Sequence, residues 1–241
     1  MPNNDNQAGV RSAGIFLAGP GTFTVLVALW VGWAQPAFPH PSQAQSLTLA
    51  AVLPVLALAT LGIWLAGRAN MTAEPFRRGG LARGIGIGLI AGLLTGGILL
   101  ALDRFSQFSA YAAGQLGVAS LHVSFPASLL VYGAGAILVE SIYRLIPLGL
   151  LYFLFAHVIL KDRHATLVFW ILAVLVSAIE PASQSSVLEA GRPLFAVLVA
   201  LIFLVNLGEA ALLRRCGWPA PIALRLALYG IWHVAGGLIF A

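Results

Sequence analysis

An all-α, polytopic transmembrane bundle of about seven or eight helices is the fold this sequence predicts, and three observations lead to it. Of its 241 residues 60% are hydrophobic and only 9% charged, with a mean hydropathy of +0.94, so a water-exposed surface is not available to the chain. The apolar residues fall in runs close to the roughly 20 residues that a helix rising about 1.5 Å per residue needs to cross about 30 Å of hydrocarbon. Within the runs there is no two-residue alternation, which sets an outer-membrane barrel aside.

The runs follow one another in order. Residues 13–34 come after a polar start with Arg11 and are longer than a signal-peptide core, so they are expected as a retained first helix. The second run is 46–66 and the third 81–102, separated by a tether carrying Arg68, Arg77 and Arg78. Residues 126–160 form a near-unbroken stretch that would reach roughly 50 Å as one helix, so it has to break or tilt. Pro147 and Gly149 place the expected break just after Arg144. Runs at 165–179, 194–213 and 220–240 complete the set.

The formal net charge of +5 does not describe a nucleic-acid surface, because the basic residues sit in tethers between apolar runs. They read as topology signals. Counting 126–160 as one net crossing gathers Arg11, the 68–83 tether, Lys161, Arg163, Arg214 and Arg215 on one side, the cytoplasmic side of an inner or cytoplasmic-type membrane, and leaves Arg104 and Arg192 opposite. Cys216 is the only cysteine, so no intramolecular disulfide or cysteine metal cluster can form. No HExxH, clustered histidines or Walker-type loop occurs, so no metal, nucleotide or other cofactor is expected. Gly84, Gly88, Gly92 and Gly96, four residues apart, make a smooth stripe for close helix packing.

Ionisable groups inside apolar runs are expensive and therefore carry the functional question. Glu140 and Arg144 stand i, i+4 on one helix face, where the pair is either a structural lock or a means of keeping a sheltered carboxylate ionised for proton transfer. Glu180 precedes Pro181 at the end of a run; it either marks the membrane surface or leans back as a second carboxylate for acid–base work. His233 lies mid-run, where it either polarises an oxyanion or packs with one hydrogen bond. His157, Asn206 and Glu209 are read as interhelical hydrogen-bonding or span-end groups without chemistry.

The order VESIYR, then an apolar run ending in SAIEP, then GWPAPIALRLALYGIWHVAGG resembles the CAAX-protease and bacteriocin-processing (Abi-like) intramembrane proteases over residues 126–240. The resemblance divides the chain into N-terminal helices and loops, 1–125, and a core carrying the motifs, 126–241. That family has an EExxxR motif, an FxxxH motif and a final HxxxN or HxxxD motif on consecutive helices of an eight-helix bundle. Here Glu140 and Arg144 match the second glutamate and the arginine, while Val139 stands at the first glutamate. Val176 and Glu180 fall at the second motif's phenylalanine and histidine. His233 matches the last histidine, with Gly237 at its amide or acid position.

The resemblance implies a divergent endopeptidase acting on a membrane-associated peptide or protein, with Glu140, Arg144, Glu180 and His233 at its site. That reading requires Glu140, Glu180 and His233 to face one hydrated cavity open to the cytoplasmic side. The losses at Val139 and Gly237 support a rival, a non-catalytic relative that binds a membrane partner or lipid. A transporter ranks last, since the two halves carry no matching interrupted segments.

Overall fold

The computed structural model describes residues 4–72, 80–183 and 193–239, with side chains from residue 7 onward. Among them are seven helices long and apolar enough to cross a membrane: Gln7–Ala34, Leu49–Arg68, Gly80–Ser106, Ala127–Ile159, Ala165–Ser183, Pro193–Cys216 and Pro219–Ile239. No strand occurs among the described residues. The chain is an all-α, multi-pass bundle, and these helices are called here the first to seventh spans. Part of the basic tether, with Arg77 and Arg78, lies outside the described residues, as do Arg192 and Phe240.

Packing is organised by small residues, because in lipid the apolar side chains gain little by hiding from one another and close backbone approach decides which helices pair. Gly84, Gly88, Gly92 and Gly96 are buried on one face of the third span and lie against the seventh. A methyl group on Gly88 would overlap the Ala220 carbonyl, and one on Gly92 the Leu224 carbonyl. Gly62 of the second span and Gly149 of the fourth cross in the same way, backbone against backbone. Segments 1–125 and 126–241 are thus interleaved. Leu26, Ile90, Leu94, Leu167 and Leu175 face outward, as lipid-facing residues do.

The long fourth span corrects one expectation. No break follows Arg144; the helix continues through a widened π-helical turn at Ser141–Leu145 and a second at Phe153–Ile159. Pro147 sits in the first turn of the α-helical segment between them, Ile146–Tyr152. A widened turn before a proline absorbs the missing N–H and the ring's clash with the preceding carbonyl without ending the helix. The stretch is one crossing.

With one crossing there, the spans alternate so that Arg11, Arg68, Arg83, Lys161, Arg163, Arg214 and Arg215 lie at one end of the bundle and Arg104 at the other. The short helix Phe108–Gln115, which follows the third span, covers part of that second end. Tyr132 pins the following connection: its hydroxyl accepts from the Val123 N–H at 2.9 Å and donates to the Leu121 carbonyl at 3.3 Å.

Candidate functional site: a buried ion cluster beside a cavity

Four spans contribute to one buried cluster. The fourth brings Glu140 from its α-helical turn and Arg144 from the π-helical turn beyond it; the fifth brings Glu180; the sixth brings Asn206 and Glu209; the seventh brings Arg225. The i, i+4 spacing of the first two is realised as a 2.9 Å bond from Arg144 Nη1 to Glu140 Oε1. Arg144 Nη2 lies 2.5 Å from Glu209 Oε2 and also donates to Asn206 Oδ1.

Arg225 ties the group together. Its Nε donates to Glu140 Oε1 at 3.2 Å, its Nη1 and Nη2 form a fork on the two oxygens of Glu180 at 3.2 and 3.1 Å, and Nη2 also reaches Glu209 Oε2 at 2.7 Å and Asn206 Oδ1 at 2.9 Å. A planar guanidinium with five N–H groups suits this, where an ammonium could not. Asn206 completes the lattice by donating to the Ser177 carbonyl at 3.3 Å. Glu140 and Glu209 have no exposed surface and Arg144 almost none. Two carboxylate oxygens, Glu140 Oε2 and Glu209 Oε1, have no hydrogen-bond partner.

Of the four residues expected at a site, three therefore meet: Glu140, Arg144 and Glu180. The fifth helix runs on through Pro181 to Ser183, and Glu180 leans into the bundle. His233 lies two turns beyond Arg225, outside the ion cluster. Its ring stacks on Tyr132, with centroids 4.4 Å apart, and its Nδ1 faces Nδ1 of His122 at 3.3 Å. Gly237 leaves room for that contact, since a Cβ there would come within 3.0 Å of His122 Cβ. His157 pairs with Asp162 at the exposed end of the fourth span.

A cavity of about 680 Å³ adjoins the cluster. Glu180, Arg225 and His233 line it; Glu140 and Arg144 do not. The rest of its wall is mainly aromatic and aliphatic, including Leu99, Phe108, Tyr111, Ile202, Tyr229 and Trp232. It lies beneath the short helix Phe108–Gln115, in the half of the bundle away from the basic end. A smaller space of about 330 Å³, lined by Asp103, Gln107, Ser109 and His122, lies beside it. Between the two stand the His122–His233 contact and a 2.9 Å bond from Trp232 Nε1 to Asp103 Oδ2.

Three carboxylates meeting in a membrane suggest a metal centre, but here the two guanidiniums stand among them. No group of three or more His, Cys, Asp or Glu able to hold a metal ion occurs among the described residues. Sequence reasoning passed over Arg225 because an arginine six residues into a run is ordinary near a membrane surface. Charge balance held the missing signal: Glu140, Glu180 and Glu209 inside spans need more than Arg144 to accompany them.

Fold and site together define a class, a multi-pass helical membrane protein with an ion-paired core beside an intramembrane cavity. No known family model, no curated protein and no solved structure matches the chain.

Proposed function

We propose that this chain is a non-hydrolytic binding protein of the inner or cytoplasmic-type membrane, a relative of the CAAX-protease and bacteriocin-processing proteins that holds a membrane-embedded ligand or partner segment in its 680 Å³ cavity. The sealing of Glu140 carries this reading. A general base must come within about 3 Å of the water it activates, and Glu140 has no exposed surface, while its Oε1 accepts from both Arg144 and Arg225. Val139 offers no substitute carboxylate. The groups in the motif-bearing helices bond one another and hold four spans together, and the neighbouring cavity has the size and largely apolar wall of a ligand site.

The experiment compares retained ligand with proteolysis. Chain purified in native lipid and reconstituted is expected to carry a co-purifying lipid or peptide, detected by mass spectrometry, which Val205→Trp, filling the cavity wall, removes. Incubation with membrane proteins of the same cells is expected to yield no new cleavage products. Cleavage that disappears in both Glu180→Gln and His233→Ala would overturn the proposal in favour of the endopeptidase reading, which rests on those two side chains sharing the cavity.

A further inference from the structure

We infer that the cavity takes an uncharged amphiphile, a hydrocarbon chain ending in a hydroxyl, with that hydroxyl bonded to Tyr229 and His233. This deepens the binding reading above and rests on it. The first argument is the state of the charges in the wall. Of the described residues that line the cavity, Glu180 and Arg225 are the only ones of the Asp, Glu, Lys and Arg types. They are bonded to each other, with Arg225 Nη1 and Nη2 spanning the two Glu180 oxygens at 3.2 and 3.1 Å.

Arg225 is further engaged with Glu140, Glu209 and Asn206, and its guanidinium stands 5.7 Å from the centre of the Tyr229 ring. An anionic head therefore finds no free guanidinium, and a cationic head no free carboxylate. Either would bring an unpaired charge into a medium of low dielectric or would have to break the fork.

The second argument is which polar groups the protein leaves unbonded. Tyr229 and His233 stand i, i+4 on the seventh span, with ring centroids 4.8 Å apart, and both line the cavity. His233 Nδ1 faces His122, but neither His233 Nε2 nor the Tyr229 hydroxyl has a hydrogen-bond partner among the described residues, and both keep some open surface. A phenol donates and accepts, and an imidazole nitrogen does one or the other according to its tautomer. A hydroxyl head, which also does both, satisfies the two together. Leu99, Ile202, Val205 and Leu228 supply hydrocarbon for the chain.

The test uses the full chain in phosphatidylcholine nanodiscs with four probes of equal chain length: dodecanol, dodecane, dodecanoate and dodecyltrimethylammonium. Saturable binding is followed by tryptophan fluorescence and by the shift in thermal unfolding, with each affinity corrected for partition into the lipid. Dodecanol is expected to bind at least about tenfold more tightly than each of the other three. Tyr229→Phe and His233→Phe are each expected to cut its advantage over dodecane by about threefold or more. Val205→Trp is expected to abolish saturable binding, which separates the cavity from the surrounding lipid.

Absence of saturable dodecanol binding by the wild-type chain would overturn the inference, as would equal or tighter binding of dodecane or of either ion, and these comparisons require no variant to fold. So would an advantage over dodecane untouched by both Tyr229→Phe and His233→Phe, or saturable dodecanol binding that survives Val205→Trp. An ion bound in preference to dodecanol, with a co-purifying ligand still displaced by Val205→Trp, sinks this inference alone, whereas cleavage dependent on Glu180 and His233 sinks the binding reading.

Discussion

Asn206 places one carbonyl oxygen between two guanidiniums and its amide on a backbone carbonyl of the neighbouring helix. Leucine there would fill similar space but leave both arginines and Ser177 short of a partner. A loss of about 1–3 kcal/mol is expected, read as a lower thermal unfolding midpoint; an unchanged midpoint would mean that the lattice contributes nothing.

His122, outside the spans, gives a pH prediction. Burial holds its imidazole below the ordinary value of 6.5, with the nearby Asp103 carboxylate opposing in part. The unfolded chain then takes up the proton first as pH falls through about 6.5, so folding stability declines from there and levels off below the folded value. His122→Gln should flatten that part of the stability–pH curve, measured between about pH 7.5 and 5; an equal slope in the variant would remove His122 as its source.

At the scale of the element, the glycine stripe of the third span was fully legible, because a four-residue repeat of the smallest side chain has one simple physical use. The long fourth stretch was legible only in its excess length. The widened turn that precedes Pro147 in place of a break, and the close approach of the second span at Gly62 and Gly149, are features no local pattern contains. Gly88→Leu would drive a side chain into the Ala220 backbone of the seventh span. Overpacking of this kind costs about 1–3 kcal/mol or more, and it should also loosen Arg225 five residues further along. The expected readout is a lower unfolding midpoint with weakened retention of the cavity's ligand, whereas Gly86→Leu, at a position with open space, should change neither.

For the whole molecule, fold class was readable from composition and run length, while the site was readable only in part. Glu140, Arg144 and Glu180 stood out as charges in hydrocarbon; Arg225 did not, because its partners come from three other helices and none is near in sequence. The single helix Ala127–Ile159 gathers the described basic tethers at one end of the bundle, which the positive-inside rule predicts to be the cytoplasmic one. In a Cys216→Ser background, Gln45→Cys, between the first two spans, should react with a membrane-impermeant maleimide in cells whose inner membrane is accessible. Arg163→Cys should react only after permeabilisation. The reverse pattern would put the cavity on the cytoplasmic side and revive the geometry that proteolysis needs.

Beneath all of this lies the claim that the intramembrane charges exist to neutralise one another. A double-mutant cycle on Arg144 and Glu209, 2.5 Å apart, tests it most directly by thermal unfolding of the reconstituted chain. Arg144→Met leaves three carboxylates with one guanidinium and should cost about 3–5 kcal/mol. Adding Glu209→Leu, which leaves Glu140 and Glu180 with Arg225, should restore most of that loss. A single variant as stable as the parent, or a double variant that recovers nothing, would contradict the account.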